Sequence, residues 1–396
     1  MLRVSRVVAI SYLAVCLAAF ATSTIIGPLG YAPFPLPFGP TREPIAITLD
    51  YGTEKQAWLE EAAALFEASN PTIDGRPVRV TLAGVGSREM VTEIAQNKRM
   101  PTAISPASSV QIELLRAEWK NYSQNQGDII GAGNAAPQPL VITPLVLVAW
   151  EERASRLWQV PPTDLWGDLH GAVAGGKSWQ DLGGSEAWGY VKFGHTRPTT
   201  SNSGIQTLLL MAYAYHNKTR DLTVGDVTDA GFRAWMGEIE QSVIEFGDST
   251  GTFMKNMVLS GPGKYDMVAV YENLAIQDIE NASGRWGKLR VYYPPATILS
   301  DHPFAVLNAP WVSPEQQRAA LLFRSFLLSA PTQRLALKYG FRPANPDVAV
   351  IDNDAANPFN KYRDYGVLVD IGQQVQTPPA GTIDTLIETW RRDVNR

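Results

Sequence analysis

The chain has 396 residues, 45% of them hydrophobic and 18% charged, with a formal net charge of −5 at pH 7. That is enough chain for two packed domains after a short tail, and the composition excludes bulk disorder. The acidic balance argues against a nucleic-acid surface. With 4 His and 1 Cys, a cysteine-rich zinc or thiol site is excluded and no HExxH spacing exists, so no metal or cofactor is expected.

Arg3 and Arg6 precede an almost uninterrupted apolar run at 7–26. The run is long enough to span a bilayer, with its N-terminus on the cytoplasmic side. Ala19-Phe20-Ala21 also fits the cleavage site of a signal peptide. Cys16 lies inside the run, behind Val15, where lipid attachment would favour a small residue. On either reading, residues 1–28 export the rest of the chain and supply its one contact with a membrane. Residues 29–44 carry Pro33, Pro35, Pro37, Pro40 and Pro44, a stiff linker.

Globular structure begins with a strand at 45–49. Gly52-Thr53 follows, then a helix with Trp58, Leu59, Ala62, Leu65 and Phe66 at helical spacing. Val78, Val80 and Leu82 alternate as a strand, and Ser87 is placed to cap the helix of Met90, Val91 and Ile94. An extended piece at 102–104 ends in Ser105-Pro106-Ala107-Ser108-Ser109 and leads into a helix with Val110, Ile112, Leu114 and Leu115. Strands alternating with amphipathic helices imply an α/β fold with a parallel, doubly wound sheet that binds ligands at the carboxyl ends of its strands.

The apolar stretch 139–150, interrupted by Pro144, reads as a strand leaving one domain for another. A second α/β set follows, with strands at 189–193 and 267–271 and helices at 203–216, 227–246 and 253–259. Residues 289–293 are expected to cross back. A strand at 304–307, a helix opened by the capping box Ser313-Pro314-Glu315-Gln316 and a last helix at 383–394 complete the chain. The expected division is lobe 1 from 45–143 and 294–396, and lobe 2 from 144–293.

Two catalytic-looking motifs fail on context. Residues 171–178, GAVAGGKS, match a P-loop, but no buried strand precedes them and Gly183-Gly184 interrupts any long helix after them. Residues 247–251, GDSTG, match a nucleophile elbow, and Asp266 or Asp278 with His302 would complete a triad in chain order. The elbow needs a strand before it, and the preceding segment has a helical period. Ser249 therefore reads more simply as a helix cap. Asp352-Asn353-Asp354 lacks the glycine and terminal glutamate of a calcium loop.

Four polar helix starts remain: Gly52-Thr53, Ser105 to Ser109, the run Thr199-Thr200-Ser201-Asn202-Ser203 held extended by Pro198, and Tyr271-Glu272-Asn273. A helix start presents unpaired N–H groups and a partial positive charge. Each hydroxyl could simply cap its own helix. Four such starts converging on one cleft point instead to the capture of an acceptor-rich solute.

At these residues the chain resembles the bacterial extracellular solute-binding proteins of type II, in the group related to molybdate- and sulfate-binding proteins. Within that group it is most similar to the branch often found with von Willebrand factor A domains. The resemblance is carried by 105–109, 194–204, Val270-Tyr271-Glu272-Asn273-Leu274-Ala275, 294–303, Ala309-Pro310-Trp311-Val312 and Gly340-Phe341-Arg342-Pro343. It implies two α/β lobes joined by crossing strands, a solute in the cleft and an ABC permease as recipient. It places ligand binding on Gly52, Thr53, Ser108, Ser109, Thr199, Thr200, Ser201, Asn202, Ser203, Tyr271 and Glu272. The first loop departs from the family's serine-rich pattern: Asp50-Tyr51-Gly52-Thr53-Glu54-Lys55 puts a charge pair near the cleft. A small polar organic solute therefore stays open beside an oxyanion. The expectation is a monomeric, non-enzymatic binding protein outside the cytoplasmic membrane. The alternatives are a secreted serine hydrolase using Ser249 and a membrane-tethered interaction protein without a ligand.

Overall fold

The computed structural model describes residues 13–18, 43–122 and 127–394. Residues 13–18 are helical (α1). No helix among the described residues is long and apolar enough to cross a membrane. The rest of the expected export segment, and the proline-rich linker up to residue 42, lie outside the described residues.

The first lobe opens with β1 (Ile45–Gly52), α2 (Gln56–Ala68), β2 (Thr72–Ile73), β3 (Arg76–Val85), α3 (Ser87–Ala95), β4 (Ala103–Ser105), α4 (Ser109–Tyr122) and β5 (Gln138–Pro139). The second contains β6 (Val141–Trp150), α5 (Glu151–Ala154), α6 (Leu165–Val173), β7 (Phe193–Gly194), α7 (Asn202–Tyr215), α8 (Val224–Thr228), α9 (Ala230–Glu240), α10 (Thr250–Ser260), β8 (Met267–Tyr271), α11 (Glu272–Ala282) and β9 (Leu289–Tyr292). The return is made by β10 (Ala296–Thr297), β11 (Leu299–Ser300), β12 (Pro303–Val306), α12 (Pro314–Leu327), α13 (Ala330–Lys338), β13 (Arg342–Pro343), α14 (Pro358–Lys361), β14 (Gln373–Gln374) and α15 (Ala380–Asp393).

Two mixed sheets result, not purely parallel ones. In the first, ordered β2-β3-β1-β4-β12-β5, β1 runs parallel to β3 and β4 while the returning β12 pairs antiparallel with β4. A strand that comes back from the other lobe enters the sheet from the opposite end, so its direction is reversed. α2 covers this sheet with Trp58, Leu59, Ala62 and Phe66, and Phe66 meets Phe323 of α12 at 4.9 Å between ring centroids. The second sheet is built on β6, which pairs antiparallel with both β8 and β9, while β7 runs parallel to β8. Neighbours on both edges and cover on both faces explain why β6 is a continuous apolar run.

β6 is also the crossing. Leu140 and Val141 pack into the cluster beneath α2 and α12, whereas Leu145 to Trp150 pack into a larger cluster that takes in the second lobe together with α3 and α4. Pro144 sits between them, opposite Leu299 of β11. α12 opens with the expected capping box, Ser313 and Gln316 bonding reciprocally behind Pro314. The P-loop-like stretch 171–178 finishes α6 and does not open a helix. α15 packs on α7, α8 and α9 of the second lobe and also touches α4, although the sequence pattern grouped 294–396 with lobe 1. Trp390 holds it there, donating to Glu240 at 3.0 Å.

Candidate functional site between the lobes

β1 delivers its last residue, Gly52, to the seam between the lobes, and Thr53, Glu54 and Lys55 form a short 3-10 turn. A Cβ on Gly52 would collide with the Glu54 carboxylate, so glycine lets that carboxylate fold back under the strand end. Glu54 and Lys55 are both buried. Lys55 Nζ donates to Glu54 Oε1 at 2.5 Å and lies 3.1 Å from His302 Nδ1 and 3.4 Å from the Pro106 carbonyl.

Burial pushes the Lys55 ammonium below its ordinary range, opposed by Glu54. Burial would raise the Glu54 carboxyl, but Lys55 and His302 outweigh it and hold the group at about 2. His302 is pushed down to about 4 by burial and by the Lys55 charge, so it is neutral at pH 7. Nδ1 lies between two groups, 3.1 Å from Lys55 Nζ and 3.2 Å from Glu54 Oε1, so it either accepts from the lysine or donates to the carboxylate.

The second lobe contributes three helix starts. Ser201, Ser249 and Tyr271 hold the N-cap positions of α7, α10 and α11, and none caps its helix with its side chain. Around Ser201 and Tyr271 the polar groups bond from one helix start to another instead. Ser203 Oγ lies 2.6 Å from Thr196 Oγ1 and 2.7 Å from Thr250 Oγ1. Ser201 Oγ is 3.2 Å from Thr250 Oγ1. Asn202 donates through Nδ2 to the Tyr271 hydroxyl at 2.9 Å.

Polar groups bond across the seam, beside apolar contacts that join residues of both lobes in one cluster. Ser108, from the first, donates to Asn202 Oδ1 at 2.8 Å, and Gln111 Nε2 donates to the same oxygen at 2.9 Å. Asn273 Nδ2 donates to the Glu54 carbonyl at 3.1 Å. Helix ends are capped across the seam in both directions. The Thr200 carbonyl accepts from Arg88 N and Glu89 N at the start of α3, and Thr53 Oγ1 accepts from Gly251 N at the start of α10. Ser87, expected as the cap of α3, accepts instead from Ala107 N.

Of the residues named from sequence, Gly52, Thr53, Ser108, Thr200, Ser201, Asn202, Ser203 and Tyr271 lie at this seam. Ser109 lies at its rim, where its N–H donates to Asp301 at 2.7 Å and its hydroxyl binds the same carboxylate. Thr199 is half-buried beside Thr200. Glu272 faces away: Arg342 donates to it through Nε at 2.8 Å and Nη2 at 2.7 Å, and Tyr293 donates as well. Gln111, Thr250 and the Lys55–His302 contact are not among the residues named from sequence, and Asn273 enters there only as the third residue of the Tyr271 helix start. Thr250 follows Ser249 in the chain, and only the fold brings it against Ser201 and Ser203.

The hydrolase arrangement does not assemble. Ser249 Oγ is bonded to Thr252 Oγ1 at 2.8 Å. Asp266 is held by Arg153, Trp179 and Lys192, and Asp278 by Asn281. His302 faces Lys55 and Glu54. Among the described residues no group of three or more His, Cys, Asp or Glu could hold a metal ion.

A family model described as bacterial extracellular solute-binding protein matches residues 47–342. Among solved structures the chain is similar to a periplasmic thiamin binding protein, with 12% identity and a TM-score of 0.62 over 91% of this chain and 99% of that one. It is similar to the sulfate-binding protein SubI from Mycobacterium tuberculosis H37Rv, with 19% identity and a TM-score of 0.52 over 88% and 98%. It is also similar to AfuA from Actinobacillus pleuropneumoniae with fructose-6-phosphate bound, with 14% identity and a TM-score of 0.56 over 88% and 98%. At these identities the likeness establishes the fold. Among curated proteins no match is found.

Proposed function

The chain belongs to the bacterial extracellular solute-binding proteins, and we propose that it captures a small polar solute by closing its two lobes over the seam described above. The observation that carries this reading is the buried chain Ser108–Asn202–Tyr271, which runs from one lobe to the other with hydrogen bonds of 2.8 and 2.9 Å. Polar groups are costly to bury unless paired. Polar walls suit a surface that opens to water and closes on a hydrogen-bonding guest.

The family works outside the cytoplasm. The finer assignments belong to this reading: delivery of the solute to an ABC-type permease, and tethering or release through residues 1–28. A relation to the sulfate- and molybdate-binding branch fits the order of the sequence motifs. Ser249 has no part in the function.

A thermal-shift screen of residues 43–396 tests the reading. A solute present at a hundred times its dissociation constant stabilises the native state by about 2.7 kcal/mol. A reproducible rise in melting temperature with one solute class supports capture. No rise with any class of small solute contradicts it.

A further inference from the structure

Six buried side-chain polar atoms among the described residues have no hydrogen-bond partner, and four of them lie at the seam: Ser105 Oγ, Gln111 Oε1, Asn273 Oδ1 and His302 Nε2. All four residues are fully buried. Three of them adjoin the Glu54–Lys55 pair: His302 and the Ser105-Pro106 turn through Lys55 Nζ, and Asn273 through the Glu54 carbonyl. Gln111 adjoins Asn202. Buried polar atoms in native proteins are nearly always paired, so a cluster of four marks where the protein meets something else.

Their chemistry is specific. The Asn273 amide orientation is fixed, because its Nδ2 must face the Glu54 carbonyl, and this leaves Oδ1 as an acceptor in need of a donor. Gln111 Oε1 is a second acceptor, while His302 Nε2 and the Ser105 hydroxyl can each donate or accept. A bare oxyanion has no protons for the two amide oxygens, and it would lie beside the Glu54 carboxylate. Four of the helix starts an oxyanion could use are already taken. The N-termini of α3, α4, α10 and α11 are occupied by the Thr200 carbonyl, the Asp301 carboxylate, Thr53 Oγ1 and Thr143 Oγ1. Glu54 and Lys55 offset each other, and Asp301, the other charge acting on Lys55, is already engaged by Ser109.

We propose that the captured solute is uncharged and carries groups that both donate and accept, as hydroxyls and primary amides do, and that Ser105, Gln111, Asn273 and His302 contact it. This deepens the solute-capture reading and rests on it.

The test is a thermal-shift and calorimetric panel on wild type, Ser105→Ala and Asn273→Leu, with three arms of probes. Glucose, maltose, ribitol and nicotinamide form the neutral arm, sulfate, molybdate and phosphate the anionic arm, and putrescine the cationic arm. The expected result is a shift within the neutral arm alone, its sugar and amide members telling the two chemistries apart. Ser105→Ala should then raise Kd about tenfold while leaving the melting temperature of the free protein unchanged, because Ser105 Oγ has no protein partner to lose. A shift confined to the anionic or cationic arm overturns this inference and leaves solute capture standing. So does a neutral solute whose Kd is the same in wild type and both variants, since the four atoms would then be paired with water alone. No shift in any arm overturns solute capture itself.

Discussion

The Thr53 hydroxyl of the first lobe accepts a hydrogen bond of 3.3 Å from the backbone N–H of Gly251 in the second. A Cβ at position 251 would sit 2.8 Å from the Thr53 carbonyl oxygen, and a Cβ at Gly86 would sit 2.7 Å from the Thr200 carbonyl oxygen. Both contacts are to backbone, which cannot turn aside. These two glycines let the lobes approach within capping distance. Gly251→Ala and Gly86→Ala should therefore hold the lobes apart, at a cost to closure of about 1–3 kcal/mol. The radius of gyration from small-angle scattering should rise, and affinity for any solute found should fall about tenfold or more. Thermal stability without solute should hold in Gly251→Ala, because alanine suits a helix better than glycine by about 0.5–1 kcal/mol.

Ser201 and Ser313 both precede helices and should behave oppositely. Ser313 accepts from Gln316 N at 3.2 Å and caps α12, so Ser313→Ala should cost about 1 kcal/mol of stability and leave binding unchanged. Ser201 makes no such bond to the start of α7. Ser201→Ala should weaken binding through the loss of its contact with Thr250, by about 1 kcal/mol or more. Chemical denaturation and calorimetry on the two variants separate the roles.

Much of this arrangement was legible in the sequence, for a local reason. Hydroxyls ahead of apolar helical runs identified the starts of α4 and α7, and the overlong apolar stretch with Pro144 identified the crossing strand. What the sequence did not convey depends on direction and on distant partners. Tyr271, Glu272 and Asn273 are consecutive at a helix start, so their side chains point about 100° apart. One meets Asn202 and one meets Glu54, while Glu272 turns to Arg342, seventy residues away in the chain. His302 looked like a triad member by order alone, and only the fold puts it against Lys55. The docking of α15 on the second lobe rests on Trp390 finding Glu240, a pairing no local pattern announces.

Removing the Glu272 partnership should be costly. Arg342 is buried over the Phe359 ring and donates to Glu272 through two nitrogens. Glu272→Ala leaves that guanidinium without its carboxylate, and breaking a buried pair on one side costs about 3–5 kcal/mol. Urea denaturation should show the loss. If Glu272 served chiefly as a ligand group, the variant would keep its stability and lose affinity.

Acid should loosen the protein through His302. Its pKa falls from an ordinary 6.5 to about 4 on folding. Between those values the unfolded chain binds a proton that the folded chain does not, so stability falls as pH drops from 6.5 toward 4. A shift of this size corresponds to about 3 kcal/mol. Glu54, held at about 2 against an ordinary 4.5, acts in the same direction below pH 4.5. His302 has a φ of +40°, which asparagine also tolerates. His302→Asn should therefore fold and should flatten the pH 4–6.5 part of the stability profile. Denaturation midpoints of both proteins, measured every half unit of pH, check this.

In the proposed capture both lobes grip one solute across the seam. Tyr271 tests it with the least disturbance, because Tyr271→Phe removes one hydroxyl, the acceptor for Asn202 Nδ2, and keeps the ring packed 5.8 Å from His302. The measurement is a calorimetric titration of the solute giving the largest thermal shift into wild type and into Tyr271→Phe. A rise in Kd of roughly ten- to a hundred-fold, equivalent to about 1.4–2.7 kcal/mol, is expected. An unchanged Kd in a folded Tyr271→Phe protein would contradict it and put the solute elsewhere.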